Sequence, residues 1–178
     1  MWTGCGRTGR WFGHQHFTDA FGKVVRPDIM TLGKAVGGGL PVGVMFARPD
    51  VADLLVPGKH GSTLGGNGIA MAVSRTLFDV IDREKLIDNA ATLGEFGVAR
   101  LKNEASIRDK VAAVRGRGLF LGIELKSAPE KFVDKGLERG IIVNVTSQKV
   151  VRVAPPINID RRLWDEGLDA LVGLIASL

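Results

Sequence analysis

The residue best suited to chemistry in this sequence is Lys34, which ends a short apolar segment and is soon followed by three glycines. The nearest carboxylates along the chain are Asp28 on one side and Asp50 on the other, so Lys34 has no close counter-charge in sequence. A lysine with little water and no counter-charge is favoured as a neutral amine, a nucleophile toward carbonyl carbon. The alternative is an exposed lysine in a glycine-rich turn, and spacing alone leaves both possibilities open.

A second candidate is the small, polar loop 58–68, which contains Ser62 and Thr63 and leads directly into an apolar segment. Apolar residues in 69–82 recur with helical spacing, which predicts a helix there. Hydroxyl groups and free backbone N–H groups at a helix N-terminus suit an anion such as phosphate. The alternative is an ordinary capped helix, since Ser62, Thr63 and Asn67 are all good N-cap residues.

The remaining pattern predicts the elements that must position these residues. Continuous apolar runs at 29–32 and 42–47 predict short strands covered on both faces. After an amphipathic helix over 84–107, alternation within 111–125 predicts two strands around 115–118. A helix over 129–140, strands at 141–145 and 150–156, and a last helix capped by Asp160 complete a small α+β domain. Arg152 lies within the last strand.

Composition limits the classes of function. The 178 residues are 45% hydrophobic and 24% charged, with a net charge of +5 from dispersed basic residues, so we expect a globular protein without a nucleic-acid stripe. Cys5 is the single cysteine, which excludes an internal disulfide and a cysteine zinc site and favours a reducing, cytoplasmic compartment. Neither a membrane span nor a signal peptide is predicted. His14 and His16 have no partner ligands nearby in sequence, so no metal site is expected.

Five motifs in order make the chain resemble the class III aminotransferases, which are pyridoxal-phosphate enzymes of fold type I. The motifs are residues 3–12, residues 27–34 with the glycines after them, residues 61–67, residues 117–119 and residues 151–156. Within the class, the chain most resembles the acetylornithine, succinylornithine and ornithine branch. The resemblance implies an α/β fold that comprises part of the large domain followed by the small α+β C-terminal domain.

The resemblance also implies roles for four residues. Lys34 resembles the lysine that binds pyridoxal 5′-phosphate covalently and then moves the proton between substrate and cofactor. Thr63, with Ser62 beside it, resembles the threonine that reaches the cofactor phosphate of the neighbouring subunit, which implies a homodimer with its active site at the interface. Arg152 resembles the arginine that binds the substrate α-carboxylate, a task suited to a planar guanidinium. The alternative for Arg152 is a strand arginine paired with a nearby glutamate.

From this resemblance we expect transfer of an amino group from N-acetylornithine to 2-oxoglutarate, a step of arginine biosynthesis. Ornithine, succinylornithine and 4-aminobutyrate enzymes share the motifs and remain alternatives. The expected domains are the C-terminal half of the large domain over 1–84, a connecting helix over 85–107 and the small domain over 108–178. A phosphate-binding P-loop is excluded, because the glycines follow Lys34 instead of preceding it.

The chain departs from the family pattern just before Thr3-Gly4. The family has Asp-Glu-Val-Gln there, and its Asp pairs with the cofactor's pyridine nitrogen. This chain has Met1-Trp2 instead. We therefore expect an N-terminally truncated chain that arises from a misplaced start, from a gene remnant or from a separately encoded first half. An inactive remnant is the alternative to an active enzyme.

Overall fold

A computed structural model describes residues 2–178, which form two compact units. The first unit contains residues 2–6 and 10–85, and the second contains Arg7–Gly9 and Leu86–Leu178. Among the residues described, no helix is both long enough and apolar enough to cross a bilayer.

The first unit is built on a two-stranded antiparallel sheet, β1 (Ile29–Leu32) and β2 (Val44–Ala47), with Ile29 opposite Ala47. A short helix, α1 (Pro49–Ala52), follows β2, and the long helix α2 spans Gly68–Arg83. Single 3-10 turns occur at Gly13–His16 and Lys34–Gly37. The predicted strands and the helix over 69–82 are therefore present.

The two strands are only partly covered in this chain, whereas the apolar runs taken alone favoured cover on both faces. Ile29, Met45 and Phe46 are 51%, 52% and 51% exposed, whereas Leu32 is buried. A continuous apolar run indicates a strand, but it does not specify which elements cover it. Within residues 2–178 this sheet has two strands, so each strand has one edge that no described strand pairs with, and both strands carry half-exposed apolar side chains.

The second unit is a four-stranded antiparallel sheet with helices packed on one face. Its helices are α3 (Leu86–Asn103), α4 (Phe132–Glu138) and α5 (Arg161–Ala176). Its strands are β3 (Val111–Arg117), β4 (Phe120–Leu125), β5 (Asn144–Thr146) and β6 (Val150–Val153), in the spatial order β3-β4-β6-β5. The elements predicted from the sequence are all present, although α3 and α4 are shorter than expected and β5 begins later.

Alternation in β4 divides this sheet into a buried face and an open face. Leu121, Ile123 and Leu125 are buried among the helices, while Gly122 and Glu124 lie on the other face. The side chain of Asp160 caps α5 by accepting a hydrogen bond from the backbone N–H of Leu163 at 2.8 Å, as predicted.

Close packing of α3 on α5 requires a glycine at position 97. The indole Nε1 of Trp164 donates to the carbonyl oxygen of Leu93 at 2.9 Å. A Cβ atom on Gly97 would lie only 2.6 Å from Cζ2 of Trp164. Since the ring is rigid and buried, it has little room to move away.

We expect Gly97→Ala to lower the free energy of unfolding by about 1–3 kcal/mol, because overpacking forces the Trp164 ring or a helix to shift. The matched control is Gly173→Ala on α5, where an added Cβ meets no atom within 4 Å. That change should stabilise the helix by about 0.5–1 kcal/mol, the usual gain for alanine over glycine. Urea unfolding followed by far-UV circular dichroism measures both variants, and equal effects would contradict the packing argument.

Candidate active site

The backbone at Lys34 is held in a rarely populated conformation. Lys34 begins the 3-10 turn after β1 and has φ of 57°, in the left-handed region that non-glycine residues seldom adopt. Leu32 and Val36, on either side, are 7% and 2% exposed and anchor the turn. A non-glycine residue in the left-handed conformation raises the free energy of the folded chain by about 1–2 kcal/mol, and such residues cluster at functional sites.

The side chain of Lys34 is exposed, so the expectation of a lysine with little water is wrong for this chain. Apolar sequence neighbours suggested burial, but Leu32 and Val36 fill the interior and the turn directs Lys34 outward. Its Nζ atom lies 5.5 Å from the ring centroid of Trp2, a cation–π distance. The amine is therefore accessible to a carbonyl compound from solvent.

Ser62 and Thr63 lie in the exposed loop before α2 and do not cap that helix. The cap is Asn67, whose side-chain oxygen accepts a hydrogen bond from the backbone N–H of Ala70 at 3.1 Å. Of the alternatives left open by the sequence, the capping role thus belongs to Asn67. The hydroxyl-bearing residues Ser62 and Thr63 remain exposed at the approach to the helix N-terminus.

Arg152 lies on an inner strand of the second unit, on the open face of the sheet. Its Cα atom is opposite Gly122 of β4 and Asn144 of β5. The adjacent Val151 is fully buried on the helical face, so Arg152 points the other way. Gly122 places no side chain beside Arg152, and the space next to it is bordered by Val150, whose Cγ1 atom would lie 3.3 Å from a Cβ atom on Gly122.

The glutamate on this open face is Glu124, and two other cations bind it. Arg115 donates to Oε2 at 2.7 Å, and Nζ of Lys149 lies 3.0 Å from Oε1. The hydrogen bonds from Arg115 and Lys149 hold the pKa of Glu124 below its usual range. Both oxygens of the Glu124 carboxylate therefore have a cationic partner.

The four predicted site residues are divided between the units. Lys34, Ser62 and Thr63 lie in the first unit, and Arg152 lies in the second. Within residues 2–178, no cluster of His, Cys, Asp and Glu could hold a metal ion. Cys5 is buried, and burial raises the pKa of its thiol, which disfavours the reactive thiolate.

Arg7, to which the motifs assigned no role, anchors the end of the Arg152 strand. Its guanidinium donates to the carbonyl oxygens of Pro155 at 2.5 Å and Leu119 at 3.4 Å. In return the backbone N–H of Leu119 donates to the carbonyl oxygen of Arg7 at 2.9 Å. Desolvation by burial lowers the pKa of Arg7. The sequence feature that could have indicated this role is the position of Arg7 between Gly6 and Gly9, within the motif at residues 3–12.

Comparison with known proteins gives concordant results at the levels of sequence and structure. The family model for class-III aminotransferases matches residues 1–175. The chain is 40% identical over 173 residues to acetylornithine aminotransferase 1 of Bordetella pertussis, covering 97% of this chain and 42% of that protein. It is 42% identical over 162 residues to ornithine aminotransferase 1 of Staphylococcus aureus, covering 89% of this chain and 38% of that protein.

Solved structures show the same similarity. Acetylornithine aminotransferase from Elizabethkingia anophelis superposes with a TM-score of 0.87 at 31% identity, covering 99% of this chain and 44% of that chain. Ornithine δ-aminotransferase of Plasmodium falciparum gives a TM-score of 0.86 at 36% identity, covering 97% and 44%. The predicted fold class, a partial fold type I transferase, is confirmed. The chain spans about 42% of the length of the acetylornithine relative.

We expect Asn67→Ala to destabilise α2 by about 1 kcal/mol, because the backbone N–H of Ala70 loses its acceptor. Ser62→Ala, a matched removal of a polar side chain from the same loop, should leave stability unchanged. Thermal unfolding and amide hydrogen exchange in the first turn of α2 check both variants. A larger loss of protection in Ser62→Ala than in Asn67→Ala would contradict the assignment of the cap.

Proposed function

The chain belongs to the class-III aminotransferase family, and we propose that it carries the cofactor lysine and the substrate arginine of a pyridoxal-phosphate-dependent amino transfer. The observation that carries this proposal is the exposed amine of Lys34 on a left-handed turn directly after β1. Because the chain spans less than half of its relatives, the activity of the whole protein is part of the proposal.

The residues of the first unit fit the cofactor chemically. Nζ of Lys34 is reachable by an aldehyde, and the exposed loop with Ser62 and Thr63 offers hydroxyl donors for a phosphate. When bound, pyridoxal phosphate supplies an electron sink for the charge that develops on the substrate. Lys34 binds the cofactor through Nζ and later holds, at that same atom, the proton removed from the substrate. Thr63 binds the phosphate group of the cofactor that the partner subunit of a homodimer holds.

Arg152 binds the carboxylate of the substrate and thereby orients the substrate. A guanidinium can donate two parallel hydrogen bonds to a carboxylate, which fixes direction as well as distance. The neighbouring residue, Gly122, adds no side chain next to the guanidinium. Arg7 contributes indirectly by binding the carbonyl of Pro155, three residues beyond Arg152.

The proposed substrates are N-acetylornithine and 2-oxoglutarate, in a step of arginine biosynthesis in the cytoplasm. Relatives named for acetylornithine and for ornithine have similar identity to this chain, at 40% and 42%, so ornithine is the main alternative donor, followed by succinylornithine and 4-aminobutyrate. The domain assignment 1–84, 85–107 and 108–178 also remains a proposal. Turnover by the 178-residue chain with added pyridoxal phosphate would exclude the inactive-remnant alternative.

We expect Lys34→Ala to abolish the yellow absorbance of protein mixed with pyridoxal phosphate, because no other amine is held on this turn. Lys59→Ala, which removes an exposed lysine elsewhere in the same unit, should retain it. Borohydride treatment followed by peptide mass spectrometry locates the pyridoxyl group in the wild-type chain. Yellow absorbance that survives in Lys34→Ala would refute the assignment.

We expect Arg152→Lys to weaken binding of 2-oxoglutarate about tenfold or more, since a charged bidentate contact contributes about 1.5–3 kcal/mol. Arg117→Lys is the matched control, since Arg117 is an exposed arginine on β3 at the edge of the same sheet. Titration calorimetry measures both affinities. Equal losses in the two variants would show general charge attraction instead of a specific site.

A further inference from the structure

Trp2 contacts Lys34, and the proposed amino transfer assigns no role to Trp2. The ammonium group of Lys34 lies over the indole ring, 5.5 Å from its centroid, within the distance at which the negative ring face attracts a cation. Tryptophan provides the strongest such face among the aromatic side chains. We propose that Trp2 is a positioning residue for Lys34, holding its amine on the indole face and thereby slowing its reaction with carbonyl compounds.

Packed or buried residues lie close in sequence to both Trp2 and Lys34, and they restrict where the two side chains can lie. Gly4, two residues after Trp2, packs beside Leu32, two residues before Lys34: a Cβ on Gly4 would lie 3.7 Å from Cδ2 of Leu32. Cys5 is buried at 6% exposure, and Val36 at 2% holds the other end of the lysine turn. Anchors therefore lie within three residues of each partner.

The chemical consequence follows from what each partner requires. The ring face attracts the cationic form of the amine, while attack on a carbonyl carbon needs a nitrogen lone pair with a clear approach. Lys34 must leave the ring face before it reacts. Contacts of this class at exposed sites shift an equilibrium by about two- to fivefold. We therefore expect loss of the indole to accelerate reaction at Lys34 by that factor.

This inference rests on the proposed function only in taking Lys34 as the reactive amine, and its test needs no cofactor. The full chain is treated with ¹³C-formaldehyde and borohydride. The amine nitrogen bonds to the aldehyde carbon, water leaves, and borohydride delivers hydride to the C=N carbon to give a methylated amine. Peptide mass spectrometry measures methylation of Lys34 relative to Lys102, an exposed lysine in the second unit.

The expected result is a Lys34-to-Lys102 rate ratio that rises about two- to fivefold in Trp2→Ala and less in Trp2→Phe, which keeps a weaker aromatic face. Trp11→Phe is the control, because Trp11 stacks on Phe78 at 5.3 Å and makes a separate contact. That variant should leave the ratio unchanged. A ratio that stays constant or falls in Trp2→Ala overturns the proposal.

A second measurement reports the contact directly. The ¹³C-methyl resonance of Lys34, assigned by its loss in Lys34→Arg, should be shifted upfield by the indole ring current in the wild-type chain and return toward the Lys102 position in Trp2→Ala. An unshifted wild-type resonance overturns the proposal. Failure of the cofactor assignment is distinguishable, because it appears as pyridoxal phosphate binding that survives in Lys34→Ala and leaves both methylation results intact.

Discussion

The first unit depends on one local constraint, the burial of Leu32 and Val36 on either side of Lys34. These two side chains are 7% and 2% exposed, so residues 33–36, between the end of β1 and the glycines at 37–39, have little conformational freedom. The turn that joins them places Lys34 at φ of 57° and directs its side chain to solvent. The exposed amine of Lys34 is thus presented by apolar neighbours that themselves face inward. The left-handed backbone is the energetic cost of that arrangement.

In the second unit the corresponding constraint is the pleat of β4. Side chains at 121, 123 and 125 are each at most 1% exposed and fill the space beneath the helices. The register of β6 against β4 places Val151 opposite Ile123 and therefore Arg152 opposite Gly122. A register slip of one residue would bury the guanidinium and expose the valine. The same hydrophobic pattern that forms the core therefore determines the face on which Arg152 lies.

The sequence predicted this second unit better than the first for a physical reason. Strict alternation in 119–125 specifies both a strand and its buried face, and Asp160 specifies a helix start through a hydrogen bond local in sequence. The apolar runs at 29–32 and 42–47 specify strands only, because burial depends on elements distant in sequence. The apolar neighbours of Lys34 predicted a buried side chain, but the side chain is exposed, since apolar neighbours can pack away from a residue as readily as around it. The anchoring of Pro155 by Arg7 spans 148 positions, which no local pattern encodes.

Lys34 in the first unit and Arg152 in the second consequently rest on different amounts of buried structure. Among the described residues, the buried apolar side chains of the first unit are Cys5, Leu32, Val36, Ala70 and Ile81, whereas the Arg152 sheet covers a contiguous cluster of fifteen. Opening free energies follow buried apolar contact, so the lysine turn belongs to the less stable part of the chain. Arg152 lies on an inner strand that covers the larger core. Lys34 lies on a turn beside a small sheet whose apolar side chains Ile29, Met45 and Phe46 are half exposed. The contact of Trp2 with Lys34 lies in this first unit, which has the smaller set of buried apolar side chains.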